Sequence, residues 1–440
     1  MRFYNRESEL DELKRIQNLS VNSYSRMTVI TGRRRIGKTS LILQSVENTP
    51  TVYLFVGRKN EATLCAEFIP VIASSLDVFV PEGIQSFRSL FQYLMELATQ
   101  RPFNLVIDEF QEFHNINESL FSDMQNIWDR YRKHTRMNLI ISGSVYSLMQ
   151  KIFQNSKEAL FGRADNIMKL SAFDITTLKE ILKDHHPEYT NDDLLALFTF
   201  TGGIPKYVEL FCDSGRLDID GMIEFMVREN SSFTEEGKNL LIEEFGKNYA
   251  TYFSILSAIS GGINTQPKIE SALGNKSIGG QLKRLIEDYQ IIVRQRPVLS
   301  KEGTQAVRYE IQDNFIRFWF NYFDRHRSLI EIKNFKGLRN IIKADYPTYS
   351  GIMLERYFKQ KLAESMEFRE IGSWWDLKNE QFEIDIVGFK LKKNQAFAAE
   401  VKRQRKNLKP DSFAAKVTHL KHKVLAKYHI ETGFFSLEDM

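Results

Sequence analysis

The chain has few residues that can form disulfides or interrupt regular secondary structure, and it has no long apolar run. Two cysteines, Cys65 and Cys212, lie far apart in 440 residues and match no metal or redox spacing, so we expect buried thiols in a reducing compartment. Ten prolines and 23 glycines argue against long disordered linkers. No apolar run approaches the ~18 residues of a membrane span, and the polar first residues predict no signal peptide. These absences favour a cytoplasmic protein without a membrane partner.

The chain does contain enough apolar material for large cores. Hydrophobic residues make up 42% of it and include 33 phenylalanines. A chain of this length holds about two to four domains. The formal net charge of +4 is weak evidence for a polyanionic partner, because the distribution of charge matters more than its total.

A glycine-rich loop near the N-terminus has the spacing of a phosphate cradle. Its two glycines let backbone N–H groups curl toward phosphate oxygens, its lysine supplies a charge for the β- and γ-phosphates, and its threonine hydroxyl can ligate Mg²⁺. A predicted strand at 26–31 enters the loop, and a predicted helix at 40–46 leaves it with an N-terminus that favours anions. The predicted nucleotide-binding residues are Gly32, Arg33, Arg34, Arg35, Ile36, Gly37, Lys38, Thr39 and Ser40.

Further strands are predicted at 51–56, 103–107 and 137–141. Near-continuous apolar strands separated by helical segments indicate a parallel sheet that is covered on both faces. Ligands of such sheets bind at the carboxyl ends of the strands. The phosphate loop, the acids after residue 107 and the serines after residue 141 all fall at that edge.

These acids and serines are candidates for hydrolysis. We expect Asp108 to hold Mg²⁺ through water and Glu109 to polarise the attacking water. The alternative for the pair is a helix N-cap with an acid in its first turn. Ser142 or Ser144 can hydrogen-bond the γ-phosphate or the water, although a Ser-Gly-Ser sequence also suits a plain turn.

Four segments together resemble the archaeal-type ATPase family, which also occurs in bacteria and is related to the AAA+ and STAND ATPases. They are residues 3–10, the phosphate loop 32–39, the Asp-Glu-Phe-Gln-Glu-Phe run at 108–113 and Phe-Gly-Arg at 161–163. The resemblance implies an α/β protein with ATP and Mg²⁺ as cofactors, able to form an oligomer on binding ATP. The implied domains are a P-loop parallel-sheet ATPase core (1–170), a helical lid (171–245), a winged helix-turn-helix (246–325) and a restriction-endonuclease-like α/β domain (326–440).

The same resemblance implies further nucleotide contacts. Tyr4, Asn5 or Arg6 would lie near the base, although Asn5 can instead begin a helix. Arg163 would act on phosphate, from its own chain or from a neighbouring subunit, and a solvated loop arginine is the alternative. The Gly-Ile-Pro turn ending at Pro205 would bring the lid onto the base or ribose, and a simple helix–helix turn is the alternative.

Residues 250–322 read as three helices and a hairpin, which is the order of a winged helix. In DNA-binding versions the third helix enters the major groove, and here it would present Lys283 and Arg284. The wing would add Arg294, Arg296 and Lys301. Winged helices of ATPases also serve as protein docking elements, so a protein partner is the alternative. The aromatic run at 314–323 has helical spacing and predicts a buried helix rather than a platform for single strands.

The last segment reads as a helix, three strands, a helix and a strand. Asp385 on the second strand, and Glu400 and Lys402 on one face of the third, resemble the PD-(D/E)xK nuclease site, with Glu355 completing it from the first helix. The proline expected beside the aspartate is missing. Such a site uses its acids to hold Mg²⁺ against a phosphodiester and its lysine to stabilise charge or activate water. Salt bridges within a half-buried strand pair are the alternative.

Basic residues cluster around this set and predict a DNA partner. They are Lys392, Lys393, Lys402, Arg403, Arg405, Lys406, Lys409, Lys416, Lys421, Lys423 and Lys427. The sequence thus predicts an ATPase whose nucleotide state controls a DNA-associated, Mg²⁺-dependent nuclease domain. The alternative is a STAND-like switch or adaptor whose nuclease-like domain binds protein or DNA without cleaving it.

Overall fold

The computed structural model describes residues 1–246, 249–300, 307–376, 379 and 381–440, which form two compact units. One unit comprises residues 2–172, and the other comprises residues 173–440 together with Met1. The division lies two residues beyond the boundary expected at 170. The boundaries expected at 245 and 325 fall inside the second unit and stay predictions. Within the described ranges, we find no helix with the length and apolarity needed to cross a membrane.

The first unit is built on a five-stranded parallel sheet with the order β2-β3-β4-β1-β5. Three of its strands are buried along almost their whole length, as the apolar sequence predicted. The fifth strand is short and alternates in burial, and the sequence did not predict it. The strands are β1 (Arg26–Thr31), β2 (Thr51–Phe55), β3 (Phe103–Asp108), β4 (Met137–Gly143) and β5 (Asn166–Lys169).

Helices connect these strands. One face of the sheet packs into a core that includes Val52, Leu54, Leu105 and Ile107 from alternate strand positions. A 3₁₀ turn, Phe110–Glu112, follows β3 directly. The helices are α1 (Glu7–Asn22), α2 (Lys38–Ser45), α3 (Glu61–Leu76), α4 (Phe87–Gln100), α5 (Phe113–Ile116), α6 (Leu120–Tyr131) and α7 (Tyr146–Gln154).

The second unit begins with five helices. Asp174 caps the first of them, and Thr190 forms a capping box with Asp193 at the start of the second. Gly202 ends that second helix in the left-handed conformation, with φ of 58°. The helices are α8 (Ile175–His185), α9 (Asn191–Thr201), α10 (Pro205–Ser214), α11 (Ile219–Met226) and α12 (Phe233–Phe245).

Three helices and an antiparallel hairpin follow, in the order that the sequence predicted. Their assignment as a winged helix stays a prediction, and Lys301 of the expected wing lies outside the described residues. The elements are α13 (Tyr249–Ser260), α14 (Gln266–Ala272), α15 (Gly279–Glu287), β6 (Ile292–Gln295) and β7 (Arg308–Ile311).

The aromatic run after the hairpin is a buried helical segment, as its spacing indicated. It comprises α16 (Asn314–Phe318) and a π-helix (Trp319–Asp324), and α17 (Arg327–Glu331) comes next. Trp319 is buried, and its indole N–H donates to the carbonyl of Thr234 at 2.9 Å. The run is therefore part of a core and offers no stacking platform.

The C-terminal part is a four-stranded sheet with the order β11-β10-β9-β8, flanked by two helices. Neighbouring strands are antiparallel except β10 and β11, which are parallel. The elements follow the predicted order of helix, three strands, helix and strand. They are α18 (Phe335–Glu364), β8 (Phe368–Trp375), β9 (Glu383–Lys390), β10 (Gln395–Val401), α19 (Pro410–Lys423) and β11 (His429–Phe435).

Gly237 of α12 gives a test of this packing. A Cβ at this position would lie 2.3 Å from the Trp319 ring, so Gly237→Ala should destabilise the second unit by about 1–3 kcal/mol through overpacking. Gly351 of α18 has no atom within 4 Å of such a Cβ. Gly351→Ala should therefore stabilise by about 0.5–1 kcal/mol, because alanine favours helix. Denaturant unfolding of both variants measures the opposite signs, and two changes of the same sign would contradict this packing.

Candidate nucleotide and acid–lysine sites

The phosphate loop connects the end of β1 to the start of α2 through unusual backbone conformations. Gly32, Arg35 and Gly37 have φ of 150°, 68° and 90°. A Cβ at Gly32 would lie 3.1 Å from both the Ile36 side chain and the Leu170 carbonyl, so this glycine is required by close packing. Gly37 has open space around it, and only its φ requires glycine. The positive φ of Arg35 was not predicted.

Lys38 is the first residue of α2 and is only 7% exposed. Its ammonium donates to the carbonyls of Gly32 at 2.9 Å and Arg33 at 3.1 Å. The carbonyls of the loop therefore surround the ammonium group of Lys38. The N-terminal N–H groups of α2 lie at the same place, so the charge and the hydrogen-bond donors of the loop both suit an anion.

Asp108 ends β3, and its carboxylate is buried at 5% exposure. Its Oδ2 accepts from the hydroxyls of Thr39 at 3.1 Å and of Tyr53. Its Oδ1 accepts from the Ser142 hydroxyl and from the backbone N–H of Glu109 at 3.0 Å. A carboxylate has about four acceptor sites, so protein donors satisfy this buried charge.

Tyr53 belongs to this arrangement as a donor. Burial, and then the neighbouring Asp108 carboxylate, raise the pKa of its phenol well above the usual value. The phenol is therefore protonated at neutral pH and donates a hydrogen bond to Asp108.

Glu109 adopts a left-handed backbone conformation with φ of 55°, a strained geometry that proteins tend to keep at functional positions. Its Oε2 accepts from the Ser144 hydroxyl at 2.7 Å and from the Gln111 amide at 2.5 Å. Glu109 makes no side-chain cap for the 3₁₀ turn that follows, so the alternative of a capped helix start is wrong here.

The Ser-Gly-Ser sequence at the end of β4 therefore supports the two acids. Ser142 bonds Asp108 and Ser144 bonds Glu109, an arrangement that the sequence did not predict. A Cβ at Gly143 would lie 2.4 Å from the Gln111 amide oxygen, so the glycine makes room for that side chain. Contact of either serine with a γ-phosphate stays a prediction.

At the N-terminus, Tyr4 and Arg6 are buried at 3% and 6% exposure. The Arg6 guanidinium donates to Glu9 at 3.2 Å and to the carbonyl of Ser171 at 2.6 Å. Helix α1 begins at Glu7 with Arg6 as its N-cap, so this segment does start a helix, as the alternative reading expected. The expected base contacts of this segment stay predictions.

Arg163 forms an ion pair with Asp129 at 3.0 Å and donates to the carbonyl of Phe161. Pro205 is the first residue of α10, at a turn where Gly203 has φ of 74°. A Cβ at Gly203 would lie 2.5 Å from the Phe173 carbonyl, which explains the glycine through packing. The nucleotide roles of Arg163 and Pro205 stay predictions.

In the second unit, Asp385, Glu400 and Lys402 converge as their strands predicted, and we call these three residues the acid–lysine set. The Lys402 ammonium lies 3.4 Å from Asp385 Oδ2 and 3.5 Å from Glu400 Oε1. Asp385 Oδ2 also accepts from the backbone N–H of Val401 at 2.8 Å, which fixes β9 to the end of β10. Burial alone would lower the Lys402 pKa, but the surrounding carboxylates outweigh it and raise the pKa above its usual value.

A second lysine reaches the same set from α19. Lys416 donates to Glu400 Oε1 at 3.1 Å. Glu400 is 6% exposed, and its Oε2 is buried without a hydrogen-bond partner among the described residues. The set therefore keeps one buried acceptor oxygen unsatisfied.

Glu355 of α18 completes the set electrostatically. Burial and the Asp385 charge raise its pKa to about 7. Beside it, Lys359 donates to the Ser373 hydroxyl at 2.7 Å, and that hydroxyl donates to the Asp385 carbonyl at 2.9 Å. Burial, and then the like charge of Asp385, thus oppose ionisation of Glu355.

No three His, Cys, Asp or Glu side chains converge into a metal-binding group anywhere in the described ranges. The chemistry of the donors, carboxylate and hydroxyl oxygens, still suits Mg²⁺. The metal roles of Thr39, Asp108, Glu355, Asp385 and Glu400 stay predictions.

Charged contacts tie the acid–lysine set to the rest of the second unit. Arg356, next to Glu355, is largely buried and bonds Glu310 at 3.1 Å and the carbonyl of Ile311 at 2.7 Å, both on β7. Arg403, next to Lys402, pairs with Asp192 of α9 and donates to the Ser350 hydroxyl at 2.8 Å.

Four side chains near the site residues had no predicted place there: Tyr53, Gln111, Lys359 and Lys416, of which Lys416 was predicted only as one of the surrounding basic residues. Tyr53 alone carried a usable signal, because strand alternation places it opposite the apolar Val52 and Leu54. The other three depend on how a turn or helix is rotated against its neighbouring strand.

A strand–loop–helix phosphate cradle beside an acid pair, on a parallel sheet, defines a P-loop ATPase. Residues 3–211 match the model of an ATPase domain predominantly from Archaea, and residues 319–412 match a model of archaeal and bacterial proteins of unknown function. The protein MJECL04 of Methanocaldococcus jannaschii is 31% identical over 411 residues, which cover 91% of this chain and 87% of that protein. The chain belongs to this archaeal-type P-loop ATPase family, and its family and fold support ATP hydrolysis.

The chain is also similar to solved structures at lower identity. The Walker-type ATPase paby2304 of Pyrococcus abyssi is 19% identical, with a TM-score of 0.50 over 72% of this chain and 96% of that one. The ORC2 protein of Aeropyrum pernix, solved as ADPNP–ADP complexes, is 14% identical, with a TM-score of 0.48 over 78% and 96% of the two chains. The likeness to the Pyrococcus protein shows the fold alone.

The raised pKa of Glu355 gives a test by pH. Because its folded pKa of about 7 exceeds the usual 4.5, ionisation of Glu355 costs stability progressively from pH 4.5 to 7, and the loss is complete above that range. Glu355→Gln should thus be more stable than the wild type at pH 8.5, and the difference should shrink toward pH 5. Denaturant unfolding at several pH values measures it, with exposed Glu370→Gln as the control. A difference that does not change with pH would refute the assignment.

Proposed function

We propose that this protein binds ATP with Mg²⁺ and hydrolyses it. The observation that carries the proposal is the convergence of Lys38, Thr39, Asp108 and Glu109 at the carboxyl edge of one parallel sheet. When ATP binds, the Lys38 ammonium would replace its hydrogen bonds to the loop carbonyls by contacts with the β- and γ-phosphates, because a phosphate offers the ammonium a full opposite charge. Thr39 and Asp108 would hold Mg²⁺, which neutralises charge developing on the phosphates.

Glu109 is the residue that we propose orients the attacking water. A general base must be held within hydrogen-bond reach of its water, and Ser144 and Gln111 hold this carboxylate at one oxygen. The other oxygen, Oε1, remains to accept from water. Tyr4 and Arg6 are the proposed neighbours of the base. Arg163 is a proposed phosphate contact, either in its own chain or from a neighbouring subunit.

We further propose that the nucleotide state controls a C-terminal domain that binds DNA and hydrolyses its phosphodiester bonds. Support comes from Asp385, Glu400 and Lys402, which lie together within a strongly basic part of the chain. The acids would hold Mg²⁺ against the phosphodiester, and Lys402 would stabilise the negative charge that develops as water attacks phosphorus. The basic side chains would follow the DNA backbone.

One observation favours a second candidate, a switch that binds DNA or protein without cleaving it. Lys402 and Lys416 already neutralise the carboxylates that a metal ion would need. In that case the acid–lysine set is a structural charge network, and the three helices with their hairpin are the docking element for a protein partner.

The phosphate assignment predicts the effect of removing its lysine. Lys38→Ala should abolish ATP turnover, because the β- and γ-phosphates lose their point charge, while exposed Lys14→Ala on α1 should leave turnover unchanged. Release of phosphate from purified protein with ATP and Mg²⁺ is the measurement. Persistent hydrolysis by Lys38→Ala would overturn the assignment.

The nuclease assignment has its own test. Purified protein with ATP and Mg²⁺ or Mn²⁺ should nick or cut DNA, and Asp385→Ala should stop cleavage but not ATP turnover. Exposed Asp411→Ala, in the first turn of α19, is the control for lost negative charge. Both single- and double-stranded DNA should be tried, with and without ATP. If the protein retards DNA in a gel but does not cleave it with either metal, the result would favour the non-cleaving switch.

A further inference from the structure

Tyr53 lies on the same face of the sheet as Asp108. In the parallel pairing of β2 with β3, Tyr53 stands opposite Val106, two positions before Asp108. Alternation along β3 places Asp108 on the same face as Val106. Val52 and Leu54 point to the other face, where they belong to the large apolar core. Tyr53 is therefore turned away from that core and toward the acid.

The phenol hydroxyl bonds the carboxylate oxygen that Thr39 also bonds. Both donate to Asp108 Oδ2, while Ser142 and a backbone N–H serve Oδ1. Thr39 and Asp108 are the proposed holders of Mg²⁺. The oxygen nearest the threonine is therefore fixed in direction by a tyrosine from the neighbouring strand.

Removing this donor would leave the carboxylate less constrained. Asp108 would keep three other hydrogen bonds to set the plane of its carboxylate, and its buried Oδ2 would lose part of the compensation for its desolvation. The tyrosine ring is not needed for this role, because only its hydroxyl touches the acid.

We propose that Tyr53 is a positioning residue of the Mg²⁺–nucleotide site, which orients the Asp108 carboxylate toward the metal through its phenol hydroxyl. The inference rests on the proposed Mg²⁺-dependent binding of ATP. Tyr53 acts through Asp108 and takes no part in the phosphate chemistry. Partners that orient metal-binding carboxylates typically contribute about 10–100-fold to metal affinity.

Tyr53→Phe tests the inference, because it keeps the ring and removes only the hydroxyl. Binding of a fluorescent ATP analogue is measured in EDTA and then during a titration with Mg²⁺. We expect affinity in EDTA to stay within about twofold of wild type, while the Mg²⁺ concentration that half-saturates the metal-dependent gain in affinity rises about tenfold or more. The Mg²⁺ dependence of ATP turnover should shift in the same direction.

Tyr93→Phe is the matched control. Its hydroxyl donates to the Phe79 carbonyl at 2.9 Å in the same unit, away from Asp108, and its loss should leave the Mg²⁺ titration unchanged. Circular dichroism verifies that both variants are folded.

Three results would overturn the inference. If Tyr53→Phe has the wild-type Mg²⁺ dependence, or loses equal affinity with and without metal, Tyr53 does not position the metal site. If the wild type binds nucleotide without any response to Mg²⁺, the proposed metal site itself fails, and this inference fails with it.

Discussion

The first unit depends on the burial of one charge, the carboxylate of Asp108. A buried carboxylate is costly unless it is fully hydrogen-bonded, and its four donors come from α2, β2, β4 and the next backbone amide. The strands on both sides of β3 must therefore be in register, and the phosphate loop must place Thr39 close by. One satisfied charge thus links the order of the sheet to the shape of the nucleotide loop.

Much of this unit could be predicted from sequence, because its strands are continuous apolar runs and its loop has diagnostic glycines. The phosphate loop, the acid pair and the strand ends follow from local pattern alone. The role of Tyr53 does not, because it requires knowing that β2 lies next to β3. Strand β5 was missed because Asn166–Lys169 has only four residues, two of them polar, and none of them is buried. The hydrogen bonds of Ser142 and Ser144 to the two carboxylates also could not be predicted, because they depend on β4 lying beside β3.

The C-terminal site was predicted for a different reason. Glu400 and Lys402 share a face because strand side chains alternate, and an acid on the adjacent strand completes the set. The contacts of Lys416 and Lys359 at this set could not be predicted, since both come from helices whose rotation against the sheet is set by packing. Their charges change the character of the site. Instead of an open carboxylate pair, the structure has acids and lysines in near balance, with one buried oxygen of Glu400 unsatisfied.

The contacts of Arg356 and Arg403 have a practical consequence for dividing the protein. A fragment that starts near residue 326 would retain both guanidinium groups but lose Glu310, Ile311 and Asp192, which accept their hydrogen bonds. Arg356 would then be a largely buried cation without its compensating acid, which is more costly than losing an exposed pair. The sheet that carries the acid–lysine set is therefore not a transplantable module. The natural place to cut is between residues 172 and 173, where the chain itself divides.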